Sequence, residues 1–114
     1  MPHPFDPAQL AKDIAAAVSG TLQKDVTALS GFSRTQLQAM SKQAAWVAEA
    51  TARNEINKAQ RDFFLQDLAR MALTFVKVIK GLTLIAVEKA WNAAVRVIWT
   101  AIETVIGKVL PLPF

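Results

Sequence analysis

Few residues in this chain could do bond-making chemistry. The only histidine, His3, sits in an arm that also holds Pro2, Pro4 and Pro7. A lone imidazole there has no neighbour to orient it as a base or metal ligand. Asp62 and Asp67 are five residues apart, a helical spacing that does not bring two carboxylates onto one face for acid–base work or metal binding. The serines have no adjacent base, and there is no Cys or Tyr, so no activated nucleophile is recognisable. Gly20, Gly31, Gly81 and Gly107 are isolated and build no phosphate-cradling loop. Lysines and arginines are dispersed among acids without a basic run, so sequence-specific reading of nucleic acid is not expected. The expectation is a protein that is not an enzyme, with no cofactor and no metal.

What remains is the chemistry of surfaces. Charged residues make up 19% of the 114 residues, against about 25% in an ordinary soluble domain. So small a chain has much surface to cover and little polar material for it. Self-association or contact with lipid is therefore expected. Through Ile56 five basic residues balance five acidic ones, and the whole net charge of +4 lies beyond that point. The apolar half is also the basic half, which suits anionic lipid or nucleic acid, or is solubilising charge on a greasy helix.

The residues that matter need helices to place them. Pro2, Pro4 and Pro7 exclude a helix from the first turn. Asp6 as N-cap, Pro7 at the first helical position and Gln9 in a D-x-x-Q box predict a helix over 7–29, through Leu10, Ile14, Val18, Leu22, Val26 and Leu29. Gly20 weakens it by about 1 kcal/mol relative to Ala, and two short helices are the alternative. In "GFSRTQL", Ser33 is the expected N-cap of a second helix, boxed by Gln36, with Phe32 stapled on Leu37. That helix carries Leu37, Met40, Ala44, Val47 and Ala48 inward, with Trp46 to one side. It breaks near "RNEIN", and Asn57 with Gln60 marks a new start at Lys58. Phe64, Leu68 and Met71 then form a core stripe.

From Lys58 no strong breaker occurs before Gly107, Pro111 and Pro113, and Gly81 is the one weak point. The third helix is thus expected to run about 50 residues, or ~75 Å, unless it bends back near Gly81. A compact domain of this size is only about 28 Å across. A membrane span is disfavoured, because the longest charge-free run between Met71 and Leu110 is Gly81 to Val87 and a span needs about 20 apolar residues. On a continuous helical wheel Lys77, Lys80, Glu88, Asn92, Arg96 and Glu103 fall on one polar stripe facing water or a lumen. Phe75, Ile79, Leu82, Ile85, Ala86, Trp91, Val97, Trp99 and Ala101 are the candidate assembly- or membrane-facing residues. Trp91 and Trp99 read as large core side chains, or at a membrane as interfacial anchors. Such a helix can lie on a membrane, fill a bundle core or line a pore.

Two stretches, "GFSRTQLQAMSKQAAWVAEATARNEI" and "RDFFLQDLARM…VEKAWNAAVRVIW", resemble small helical proteins of phage and prophage structural gene neighbourhoods. The resemblance implies a virion-associated or ejected protein and brings no catalytic residues with it. In composition the Ala-rich amphipathic pattern is also similar to phasin-type granule-coating proteins. The expected fold is all-α, an elongated and oligomeric helical hairpin or bundle with one long apolar C-terminal helix. It divides into a proline-rich arm (1–6), an amphipathic helical pair (7–56), the long helix (57–107) and a tail (108–114). The expected function is a non-enzymatic, self-assembling component of a phage-like particle, membrane-interacting or channel-forming during genome ejection. The alternatives are a phasin-like coat on lipid or polymer, and a small regulatory or chaperone-like binding module. Expected partners are copies of itself, a membrane or other virion proteins. The N-terminus has no signal-peptide pattern, so the expected location is virion or cytoplasm, with or without membrane contact.

Overall fold

The longest apolar stretch folds in two. The computed structural model describes residues 6–24, 26, 31–79 and 81–114, with the side chains of α2 described from Arg34 onward. The elements are four α-helices: α1 (Pro7–Leu22), α2 (Gly31–Ala52), α3 (Lys58–Lys77) and α4 (Leu84–Ile106). The expected helix over 57–107 is therefore two helices of 20 and 23 residues. The chain stops at Val78, turns through Gly81 at φ +83°, and restarts behind Thr83. The Thr83 hydroxyl accepts the Ala86 N–H at 3.1 Å, taking up one of the donors that a helix start leaves open.

The physical reason is burial. Carrying a helix through one glycine costs only about 1 kcal/mol, so Gly81 alone does not force the break. A straight helix would leave Ala90, Ala94, Val95, Ile98 and Ile102 in water. Doubling back buries all five, and Val95, Ile98 and Ile102 are worth about 1.5–3 kcal/mol each when buried. Helix α4 consequently touches α1, α2 and α3, whereas α1 and α3 stay apart among the described residues. One core draws on all four helices and on Leu110 beyond them. The bundle measures 42 × 29 × 20 Å with a radius of gyration of 13.7 Å, near the roughly 13 Å of a globular chain of this length. The expected extended form with one long C-terminal helix is overturned.

Other boundaries follow local chemistry. Asp6 caps α1 through the Ala8 N–H at 3.0 Å, with Pro7 at the start. Gln9 does not close the expected box, because its amide donates to Asp13 at 2.9 Å. Helix α1 ends at Leu22, seven residues short of expectation, where Gln23 turns left-handed at φ 53°. The Ser19 hydroxyl there accepts the N–H of Val26 at 3.0 Å. Val26 is still buried as its stripe position demands, but a turn delivers it. Leu29 lies outside the described residues.

Helix α2 begins at Gly31, two residues before the expected cap. The side chains of Phe32 and Ser33 lie outside the described residues, as do the staple and cap built on them. Its inward set, Leu37, Met40, Ala44, Val47 and Ala48, is buried as the spacing requires. At the start of α3 Asn57 and Gln60 form the expected reciprocal box, at 2.8 and 2.9 Å. Its buried stripe is Leu65, Leu68, Ala69, Ala72, Phe75 and Val76, with Phe64 and Met71 half-buried on the flank.

Two glycines give substitutions of opposite sign. Gly20 sits in a helix with open space where a Cβ would go, whereas Gly81 has open space but φ +83°. Gly20→Ala should raise the unfolding free energy by about 0.5–1 kcal/mol. Gly81→Ala should lower it by about 1 kcal/mol through left-handed strain. Urea unfolding followed by circular dichroism reads both, and a stabilising Gly81→Ala would contradict the turn.

Candidate functional site

Helix α4 was expected to present a polar stripe to water or a lumen, and two of its members do something else. Residues 107–114 leave α4 at Gly107, φ 70°, and run back along the helix. The Glu103 carboxylate accepts the N–H of Leu110 at 2.6 Å, and Leu110 is buried in the core. The Trp99 indole N–H donates to the Pro111 carbonyl at 2.9 Å. Phe114 meets the edge of Trp91 at 5.2 Å, and the Arg96 guanidinium lies 5.5 Å from the centre of the same ring. Glu103, Trp99, Arg96 and Trp91 therefore clamp the chain's own tail. Charge on a greasy helix is used here for a carboxylate–amide bond and a cation–π contact.

The other stripe members are scattered. Lys77 and Glu88 are exposed, and Lys80 lies outside the described residues. Asn92 is half-buried, its side-chain oxygen shut from solvent with no hydrogen-bond partner among the described residues. The apolar set divides as well. Phe75, Ile79 and Trp99 lie inside the chain's own core. Leu82, Trp91, Val97 and Ala101 are half-buried and packed against it, and Ala86 is half-buried. The Trp91 N–H donates to the Ala69 carbonyl at 2.9 Å, so both tryptophans tie elements together within the fold. Ile85 is 68% exposed. It stands eighteen residues, five whole turns, from Glu103 and so shares the polar side of α4. The expectation had placed it opposite, but both residues lie within α4, so their spacing sets Ile85 beside Glu103 whatever the chain does at Gly81.

The surface that sequence reasoning under-read is aromatic. Trp46 on α2 is 48% exposed and Phe63 on α3 is 60% exposed. Between them Phe64 receives both rings edge-on, at 5.0 Å from Trp46 and 5.5 Å from Phe63. The Gln43 amide donates to Asp67 at 2.9 Å beside the cluster, locking α2 to α3 there. Around it stand Lys42, Glu49, Gln60 and Gln66, with Glu49 paired to Arg53 at 2.7 Å. The "DFFL" sequence held the signal. Adjacent phenylalanines cannot both face one core from a helix.

Elsewhere a cleft of about 520 Å³ opens between α1 and α2, floored by Ala11, Ala15, Val26 and Leu37 and rimmed by Lys12, Arg34 and Lys42. Among the described residues, its lining holds no carboxylate or imidazole. Asp62 pairs with Arg61 at 3.2 Å while Asp67 faces Gln43, so the two acids work apart. No helix among the described residues is long and apolar enough to cross a membrane. Among them, no three potential metal ligands come together. Comparison with protein-family models, curated proteins and solved structures finds no match to this chain.

The clamp predicts where the tail loosens. Glu103→Ala leaves the Leu110 N–H without its acceptor and should cost about 1–3 kcal/mol. It should also expose residues 108–114 to proteolysis, read by mass spectrometry after limited digestion. Unchanged cleavage there would mean that the carboxylate does not hold the tail.

Proposed function

We propose that this chain is a non-enzymatic assembly component that associates with copies of itself through the α2–α3 aromatic face, in a phage-like particle. The observation that carries the assembly reading is the Trp46–Phe64–Phe63 cluster. Two large aromatic side chains stand half out of water on a rigid, hydrogen-bonded pair of helices. Aromatic anchors on a fixed backbone are the residues that dominate protein interfaces. The paired helices offer a face about 30 Å long, on the scale of the roughly 800 Å² per partner that a stable interface buries. The surround carries both signs of charge, Lys42 against Glu49 and Asp67, so one copy can face another without like charges meeting. A virion setting is supported by the resemblance of the two helical stretches alone.

A channel lined by the α4 stripe would have to leave Glu103 and Arg96 in contact with the tail. A phasin-like coat would need the apolar length of α4 on the outside, and that face is buried within the bundle.

Light scattering behind size-exclusion chromatography, at micromolar concentration without detergent, tests the assembly. The expected mass is a multiple of 12.4 kDa. Phe63→Ser combined with Trp46→Gln should weaken association by at least about 2 kcal/mol, or roughly thirtyfold, with helicity unchanged. A wild-type protein that is a monodisperse monomer would sink the reading. A double variant that keeps the full mass would move the interface elsewhere.

A further inference from the structure

We infer that the corner between α3 and α4 is a membrane-attachment site, which seats on the surface of an anionic bilayer. The inference is independent of the aromatic face. Val78, at the end of α3, lies fifteen positions beyond Phe63, about 22 Å along the helix. At this corner Leu84 is 89% exposed and Ile85 68%, on the first turn of α4. Val78 is exposed at the end of α3, and Leu82 is half-buried between them. Consecutive aliphatic side chains at a helix start, held out by a capped turn, are in position to enter the headgroup layer. Lys24 and Lys89 line one hollow there with Leu82, Ile85 and Ala86, and no acidic residue is among its lining from the described residues. Lys77 is exposed at the adjoining helix end. The nearest acid along α4 is Glu88, one turn beyond Leu84.

Aliphatic tips ringed by lysines match a surface that is apolar within and negative at its face. A second copy of the chain fits less well. The exposed tips cover a few hundred Å², short of the roughly 800 Å² per partner of a stable dimer, and pairing two corners would set lysine against lysine. Nucleic acid would meet Leu84 and Ile85 where it needs a phosphate partner or an aromatic platform. With no helix among the described residues able to cross a bilayer, the described attachment is peripheral.

Vesicle flotation tests it, with phosphatidylcholine alone and with phosphatidylcholine mixed with phosphatidylglycerol. The protein should bind the mixed vesicles at least about tenfold more tightly than the neutral ones. Salt at about 1 M, where screening falls to roughly 3 Å, should remove most of that difference. Leu84→Ser with Ile85→Ser should lose about tenfold or more in binding, with helicity and assembled mass unchanged. Lys77→Gln with Lys89→Gln should lose about tenfold on mixed vesicles alone. Phe63→Ser with Trp46→Gln should still float. The proposal is overturned if the wild-type chain ignores the mixed vesicles, or if the serine variant binds them like wild type. It also fails if the aromatic-face variant loses binding while the serine variant keeps it.

Discussion

The fold depends on one seam, the buried face of α4. Ala90 and Ala94 let neighbouring helices approach closely, and Val95, Ile98 and Ile102 fill the space that remains. All five are fully buried. Helix α4 touches the other three, as α2 also does, so its alignment is tied to theirs. The reversal at Gly81 and this seam require each other. Without the turn the face has no partner within the chain, and without the face the turn has nothing to hold it closed. Packing density sets the stringency, since a core of this size has few other contacts to fall back on.

That seam decides what is left for the outside. A helix with apolar residues on so many sides has little free surface once three neighbours and the returning tail are in place. Arg96 and Glu103 are polar residues on a helix flank, and Phe114 and the Leu110 backbone lie against them while Arg96 stays exposed. Trp91 and Trp99 likewise direct their N–H groups to backbone carbonyls of α3 and the tail. Groups that a linear reading assigns to an interface thus act as internal fasteners.

Two exposed apolar surfaces on the described helices differ in kind. The aromatic face lies along a helix pair, among charges of both signs. The aliphatic corner lies at a chain reversal, among lysines. Flat aromatic area with mixed charge suits another folded protein, whereas a small apolar tip in a positive surround suits a negative, deformable surface. Their separation along α3 allows both to be engaged at once.

The sequence by itself determined the helical class, the inward positions Leu10, Ile14 and Val18 of α1, the inward set of α2 and the Asn57–Gln60 start of α3. Those features follow from spacing and capping within a few residues, where local chemistry decides. The Gly81 turn was legible only as a weak point, with Thr83 unread as its cap. A lone glycine costs about as much inside a helix as many tolerated residues do, so no local signal could choose between continuing and reversing. Tertiary structure made that choice by supplying three helices for α4 to pack on. Once the chain reversed there, Phe75 went into the core, and Arg96 and Glu103 found the tail. None of those outcomes is encoded in spacing along a single helix, because each depends on which other segment arrives opposite it.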